Sequence, residues 1–206
     1  AVTSFSARDL DMESLAGFFK FGFFPAERTY YKDIIIIRPA VHLVFNQNGE
    51  IAHHEKLHTW QHQPDERLSF NDAVDAFAGI FHQVIKEQVT GRRVAFPISG
   101  GLDSRSTVAA LPDNAQPDAL WAYSYGYTPG SPETQIAGKI AAARQLPFKA
   151  YTIQPYLFEK LPSILDAVEG FQDVTQCRQA FITEELASHA EYVMAAHWGD
   201  VWLDDA

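Results

Sequence analysis

From Ser69 onward, apolar segments with the length of strands alternate with longer segments of helical periodicity. The strand-like segments are 93–99, 119–125, 148–153 and 192–196. The predicted helices begin at Ser69 and then cover 104–111, 133–145, 156–169 and 177–190. Strands separated by helices favour right-handed βαβ units and a parallel sheet that is covered on both faces. We therefore predict an α/β fold, a Rossmann-like parallel sheet with helices on both faces.

Residues 1–68 lack this alternation, and we predict that they form a connector segment with a β-hairpin, separate from a domain at 69–206. The predicted elements of this segment are a short helix at 10–24, strands at 34–37, 41–45 and 51–60, and a turn at 46–49. The turn has the sequence Asn-Gln-Asn-Gly, which is typical of a hairpin connection. Pro39 indicates a sheet edge or a bulge between the first two strands.

Composition and charge narrow the class of protein. The 206 residues are 47% hydrophobic and include 15 Phe, 8 Tyr and 4 Trp, so the chain can bury a core and is not disordered. A net charge of −10 without clustered Lys or Arg excludes a nucleic-acid surface. The single cysteine, Cys177, excludes a disulfide scaffold and favours a reducing compartment, so we expect a cytoplasmic location. The most apolar stretch, Leu15–Phe24, is too short to span a membrane.

The segment Ser99–Ser104, with the sequence Ser-Gly-Gly-Leu-Asp-Ser, lies between a predicted strand and a predicted helix. Two glycines allow the backbone to turn sharply and approach a phosphate closely, and free N–H groups at a helix start attract anions. The hydroxyls of Ser99 and Ser104 add donors. Asp103 would repel a phosphate unless a cation lay between them, so it predicts a magnesium ion bridging Asp103 and a polyphosphate. The segment is neither a Walker loop nor a G-x-G-x-x-G turn.

This loop resembles the pyrophosphate-binding loop of the ATP pyrophosphatases, and in particular that of the synthetase domain of the asparagine synthase (glutamine-hydrolysing) family. Further stretches are similar to this family in order and spacing. They are the connector at 21–39 with Trp60, the loop and helix start at 124–133, and the acidic segment 199–205. The resemblance implies an ATP-pyrophosphatase nucleotide-binding domain at 69–206, truncated at its C-terminus and preceded by the connector and hairpin.

The resemblance also implies an ATP-dependent, magnesium-dependent ligase that forms an amide. A carboxylate such as aspartate would attack ATP, release pyrophosphate and pass its acyl group to ammonia or another amine, with a glutaminase domain in the parent protein. The implied nucleotide-binding residues are Pro97, Ser99, Gly100, Gly101, Asp103, Ser104, Tyr125 and Gly199. Asp200 would be the catalytic residue that deprotonates the amine. Asp103 and Asp204 would bind magnesium, with Leu203 as the alternative match for Asp204.

Two other functions are compatible with the sequence. A homologue could retain the ATP site as a non-catalytic nucleotide-binding module, and pyrophosphate exchange into ATP would distinguish the two because only the ligase catalyses it. The run from His54 to His58 matches H-E-x-x-H, which on a helix would place two histidines on zinc and use Glu55 as the base of a hydrolase. The nearby Asn48-Gly49 turn and Ile51 favour a solvated hairpin strand instead.

Overall fold

The computed structural model describes residues 9–59, 61, 63–113 and 117–196. The chain divides into two units, one made of residues 1–65 and 161–177 and the other of residues 66–160 and 178–206. The helices and strands are, in chain order, α1 (Met12–Phe21), β1 (Val41–Phe45), β2 (Ile51–Lys56), α2 (Phe70–Val89), β3 (Val94–Pro97), α3 (Leu102–Ala109), β4 (Leu120–Gly126), α4 (Pro132–Ala143), β5 (Phe148–Thr152), α5 (Leu157–Val168), α6 (Thr183–His189) and β6 (Tyr192–Val193). Short 3₁₀ turns occupy Pro117–Ala119, Val174–Gln176 and Arg178–Ile182.

In the first unit, α1 begins and ends with standard caps. The Asp11 carboxylate accepts hydrogen bonds from the N–H groups of Glu13 and Ser14, both at 3.1 Å, and Gly22 ends the helix with a φ of 77°. The rings of Phe24, Tyr30 and Phe171 pack together, with centroids 4.5–5.7 Å apart. This small aromatic cluster connects the sequence after α1 to residues that follow α5.

The predicted strand at Ile34–Ile37 is wrong. These residues have no regular secondary structure, and the Ile35 and Ile37 side chains are 66% and 56% exposed. The N–H of Ile36 donates to the carbonyl of Glu27 at 2.8 Å, so the segment makes an isolated contact where a strand would need a ladder of bonds to a partner. An apolar run without a partner strand does not form a sheet.

The predicted hairpin is present. Strands β1 and β2 pair antiparallel, with Val41 opposite Lys56 and a register shift between Val44 and Phe45. The side-chain oxygen of Asn46 closes the turn by accepting hydrogen bonds from the N–H groups of Asn48 and Glu50 at 2.9 and 3.0 Å. Gly49 has a φ of 82°, which favours glycine. The second strand ends at Lys56, earlier than the predicted Trp60.

The second unit contains a parallel sheet of four strands in the order β5-β4-β3-β6. On one face, Val94, Phe96 and Ile98 pack in a core with residues of three helices, which are Ile85 and Val89 of α2, Val108 of α3, and Ala137 and Ala141 of α4. On the other face, Ala95, Trp121 and Tyr123 pack against Ile182 and Leu186, the latter from α6. The predicted α/β sheet with helices on both faces is therefore confirmed.

Most element boundaries in the second unit shift from the prediction by one or two residues, and three elements differ in ways that matter for the fold. Helix α3 begins at Leu102, two residues before the predicted start. The predicted helix at 177–190 is a 3₁₀ turn followed by the short helix α6, because Ile182 has a φ of −119° and interrupts the helical backbone. Strand β6 contains two residues, which pair with Val94 and Ala95. No helix in the described part of the chain is long and apolar enough to cross a membrane.

Candidate functional site

The order of the strands makes one edge of the sheet a candidate ligand site. The chain adds β4 and then β5 on one side of β3, and afterwards adds β6 on the other side of β3. The strand order therefore reverses between β3 and β6, although all four strands are parallel. Ligands of open α/β sheets bind in the crevice at such a reversal, outside the carboxyl ends of the strands. The loop Ser99–Gly101 leaves β3 at this edge and leads directly into α3.

Two serine hydroxyls fix the shape of this loop. The Ser104 hydroxyl accepts from the N–H of Ser99 at 3.0 Å and lies 3.1 Å from the Ser99 hydroxyl. The Ser99 hydroxyl in turn accepts from the N–H of Gly101 at 3.1 Å. Ser104 is buried, whereas Ser99 is exposed. In this structure, Ser104 therefore holds the loop in position, and Ser99 can also turn its hydroxyl toward a ligand.

The two glycines of the loop differ in the space around them, and a Cβ atom at Gly101 would lie 3.3 Å from Ser99 Oγ, a tight contact. Neither has a positive φ, so a sharp left-handed turn does not explain them. A Cβ atom at Gly100 would meet Glu133 Cγ at 3.5 Å and Ile136 Cδ1 at 3.6 Å, which are ordinary contacts. The protein itself therefore has room for a side chain at Gly100. We therefore predict that the glycine serves the close approach of a ligand to the backbone.

The substitution Gly100→Ala tests this reason. We expect the variant to fold with nearly the stability of the parent, because its new Cβ makes ordinary contacts. We expect its affinity for Mg·ATP to fall by about tenfold or more, since the methyl group displaces a phosphate from the backbone N–H groups. Calorimetric titration measures the affinity. Gly79→Ala is a matched control, because a Cβ at this helical position meets no atom within 4 Å. Equal ATP affinity in both variants would contradict the assignment of the loop.

Asp103 lies in the first turn of α3 and is half-buried. A carboxylate at this position stabilises the helix through its N-terminal partial charge, which gives Asp103 a structural role without a ligand. The backbone carbonyl of Asp103 accepts from the Thr107 hydroxyl at 3.1 Å. Because that bond uses the backbone, the carboxylate of Asp103 remains a possible oxygen ligand for a magnesium ion.

Two charged residues beside the loop were not among the predicted site residues. The guanidinium of Arg105 donates to the carbonyl of Gly100 at 3.1 Å. A Cβ at Gly100 would lie 4.0 Å from the Cα of Glu133, so the start of α4 lies against the loop. The feature that could have indicated Arg105 is its position in the exposed first turns of α3. Glu133 could be found only after α4 was known to pack against the loop.

Pro97 lies at the end of β3, where its missing N–H does not weaken the pairing of β3 with β4. Alternate residues of a parallel strand bond to opposite neighbours. The N–H of Ile98 donates to the Tyr123 carbonyl of β4 at 2.8 Å. The backbone of the preceding residue, Pro97, therefore faces β6 instead of β4. Among the described residues, β6 pairs only with Val94 and Ala95 and ends before Pro97. A proline is therefore tolerated in a strand that has neighbours on both sides.

Tyr125 lies on the same face of the sheet as Pro97. Residues on one face of a strand alternate, and Ala95 and Tyr123 belong to the core on this face. The ring of Tyr125 packs edge-to-face on Phe181, with centroids 6.3 Å apart. Burial raises the pKa of Tyr123, whose neutral hydroxyl donates to Gln179 Oε1 at 2.6 Å. Pro97 and Tyr125 thus share one face of the sheet near its carboxyl edge, and we refer to these two residues as the apolar wall.

Three predicted site residues, Gly199, Asp200 and Asp204, lie outside the described residues. In the sequence they follow β6, the strand that pairs with β3. The structure brings together the other seven predicted residues, which are Pro97, Ser99, Gly100, Gly101, Asp103, Ser104 and Tyr125, at the carboxyl ends of β3 and β4.

The H-E-x-x-H run does not form the helical zinc site of a hydrolase. His54 and Glu55 lie in β2, where neighbouring side chains point to opposite faces. His58 follows the end of the strand. Two histidines one helical turn apart, which the zinc hydrolase hypothesis requires, are therefore absent from this described segment.

The fold and the loop define an α/β domain with a glycine-containing loop at the carboxyl edge of its parallel sheet. Residues 78–200 match the asparagine synthase family. This match covers more than half of the chain and includes the loop Ser99–Ser104, and the chain therefore belongs to the asparagine synthase family. The resemblance seen in the sequence is confirmed, although the connector before residue 78 lies outside the matched range.

Other comparisons add little to this assignment. No curated protein matches the chain. An NH3-dependent NAD synthetase from Campylobacter jejuni, in complex with the nitrate ion, has 17% sequence identity and a TM-score of 0.42, with 64% of this chain and 60% of that chain covered. A glutamine-dependent NAD+ synthetase from Acinetobacter baumannii, in complex with ADP, has 14% identity and a TM-score of 0.43, with 77% and 30% covered. The chain thus spans less than two thirds of the length of either structure.

Proposed function

We propose that this chain is the nucleotide-binding part of an ATP-dependent amide-forming ligase. The reaction adenylates a carboxylate such as aspartate, releases pyrophosphate, and transfers the acyl group to ammonia or another amine. The observation that carries the proposal is the position of the loop Ser99–Ser104, which lies at the carboxyl end of β3 beside the reversal of strand order. The matched family supports the same chemistry.

In the proposed reaction, the loop binds the β- and γ-phosphates of ATP. Backbone N–H groups at the start of α3 face the phosphates, and Ser104 keeps the loop in shape through its bond to Ser99. A carboxylate oxygen of the substrate attacks the α-phosphorus. The bond between the α-phosphorus and the bridging oxygen breaks, and pyrophosphate leaves with the negative charge. Arg105, which contacts the carbonyl of Gly100, adds a positive charge beside the departing group.

The oxygen donors at the loop fit a magnesium ion. Asp103 offers a half-buried carboxylate, and phosphate oxygens of the substrate would complete the ligand set, as is usual for this ion. When bound, magnesium neutralises charge on the phosphates and orients them. We assign Asp103 as the first protein ligand and Asp204 as the second. With these two carboxylates as the protein ligands, most ligands of the magnesium ion would be water and phosphate oxygens, which this ion prefers.

The remaining steps use residues after β6. Gly199 contacts the nucleotide in our proposal, and Asp200 takes a proton from the amine as its nitrogen attacks the acyl carbon and AMP leaves. Pro97 and Tyr125 bind the adenine through the apolar wall described above. We also propose that residues 69–206 are the nucleotide-binding domain and residues 1–68 its connector and hairpin, with a glutaminase domain as the source of ammonia in the complete enzyme.

Exchange of labelled pyrophosphate into ATP tests this function, because the first half-reaction is reversible only when a carboxylate substrate is bound. We expect the full gene product to catalyse exchange with one carboxylate in a panel that starts with aspartate. Adding hydroxylamine as the amine should yield the hydroxamate of that same carboxylate. ATP binding without exchange for any carboxylate would contradict the ligase and favour a non-catalytic nucleotide-binding homologue.

A further inference from the structure

Three potential metal ligands share one face of the hairpin in the first unit. His42 of β1 lies directly opposite Glu55 of β2 in the antiparallel register. His53 precedes Glu55 by two residues, so its side chain lies on the same face of β2. The sequence separates His42 from the other two residues by the whole hairpin turn, and only the strand pairing brings the three together.

The distances between these side chains are close to those of a coordination shell. Glu55 Oε2 lies 3.6 Å from His53 Nε2 and 3.9 Å from His42 Nδ1. The three ligand atoms all lie within 4.8 Å of one another. Around a zinc ion with bonds of about 2.1 Å, tetrahedral ligand atoms are about 3.4 Å apart. Small rotations about side-chain bonds would therefore bring all three atoms to one ion.

The side chains of the cluster are exposed, so they can rotate in this way and water can reach an ion bound between them. The side chains of His42, His53 and Glu55 are 54%, 55% and 55% exposed. Each can adjust its rotamer without repacking a core, and an ion can reach the cluster directly from solvent. The protein supplies three ligands, and water would supply the remaining positions, as in open zinc sites.

We propose that His42, His53 and Glu55 form a surface site for a divalent transition metal such as Zn²⁺ or Ni²⁺. Imidazole nitrogens select zinc, nickel and copper ions, whereas magnesium and calcium prefer oxygen ligands. The site therefore differs in chemistry from the magnesium position at Asp103. It also differs from the H-E-x-x-H run, because His54 lies on the opposite face of β2 and His58 lies beyond the strand.

A metal at this position would join β1 to β2 through side chains on both strands. A two-stranded hairpin is marginally stable without further packing, and in this hairpin every residue of β2 is exposed. A ligand that binds only the paired strands stabilises that pairing. The metal would thus act as a clip that fixes the hairpin and its register.

The test is titration of the chain, without an affinity tag, with Zn²⁺ in the presence of excess Mg²⁺. We expect one zinc per chain that magnesium does not displace. His53→Ala and His42→Ala should each weaken zinc binding by about tenfold or more, because each removes one of three protein ligands. His54→Ala is the matched control, since it removes a neighbouring histidine from the opposite face of β2, and its affinity should stay within about twofold of the parent.

The results of these variants distinguish the proposed site from nonspecific histidine binding and from zinc binding at the H-E-x-x-H run. Equal losses in His53→Ala and His54→Ala would overturn the proposal in favour of nonspecific histidine binding. Loss of zinc in the double variant His54→Ala with His58→Ala, but not in His42→Ala, would overturn it in favour of the H-E-x-x-H run. No stoichiometric zinc binding by the parent chain would also overturn it. Circular dichroism of each variant, all at exposed positions, confirms that folding is unchanged.

Discussion

Replacing Asp103 with alanine is expected to abolish magnesium-dependent binding of ATP while the chain remains folded. Asp103 is half-buried in the first turn of α3, and its replacement removes the proposed protein ligand of the ion at the loop. We expect the affinity for ATP with magnesium to fall by about 100-fold. The helix loses only the charge interaction at its N-terminus, which costs about 0.5 kcal/mol. Calorimetric titration gives the affinity, and thermal unfolding gives the stability.

Asp118→Ala is the matched control for Asp103→Ala. Asp118 is an exposed aspartate in the short 3₁₀ turn before β4, in the same unit as the loop. The control removes one negative charge from the unit without touching the loop, and its affinity for Mg·ATP should match that of the parent. Unchanged affinity in Asp103→Ala would show that Asp103 only stabilises α3 and would remove magnesium from its proposed position.

The second large effect is expected from Phe96→Ala. Phe96 lies in the middle of β3 and is 1% exposed, within the core that packs α2, α3 and α4 on the sheet. Deleting a buried phenyl ring costs about 3–5 kcal/mol, through lost burial and the cavity that remains. Urea denaturation should therefore show a much lower midpoint. The loop Ser99–Ser104 follows this strand, so ATP binding should weaken under conditions where the variant begins to unfold.

Phe70→Ala gives the matched comparison for Phe96→Ala. Phe70 is the first residue of α2 and is 82% exposed, so its replacement should change the free energy of unfolding by less than about 0.5 kcal/mol. If both phenylalanine variants unfolded at the same urea concentration, β3 would not lie at the centre of the core. The assignment of the site to the end of that strand would then fail.

Local sequence patterns predicted most of the second unit. The apolar segments of strand length correspond to β3, β4 and β5 in the structure. Ser69, where the sequence predicted a helix start, is the N-cap of α2, and its hydroxyl accepts from the N–H of Asp72 at 3.2 Å. The Asn46–Gly49 turn is equally local, because one side chain and one glycine close it. In contrast, the apolar run Ile34–Ile37 has strand composition but pairs with no strand among the described residues, and pairing is not visible in a local pattern.

In the candidate site too, local features could be predicted from the sequence, whereas contacts between distant segments could not. The loop could be predicted because its six residues are consecutive in the sequence and form a recognisable motif between a predicted strand and a predicted helix. The proximity of Glu133 to the loop depends on how α4 packs, and the cluster of His42 with His53 and Glu55 depends on the register of the hairpin. The H-E-x-x-H run shares Glu55 with this cluster, but its two histidines do not belong to the cluster, because a strand places alternate side chains on one face.

The most direct measurement of the central claim is a calorimetric titration of the chain with ATP, once with saturating magnesium and once with EDTA. We expect one ATP site per chain that requires magnesium and that the Asp103→Ala variant lacks. Failure to bind ATP in magnesium, or equally tight binding in EDTA, would contradict the assignment of Ser99–Ser104 as the pyrophosphate-binding loop.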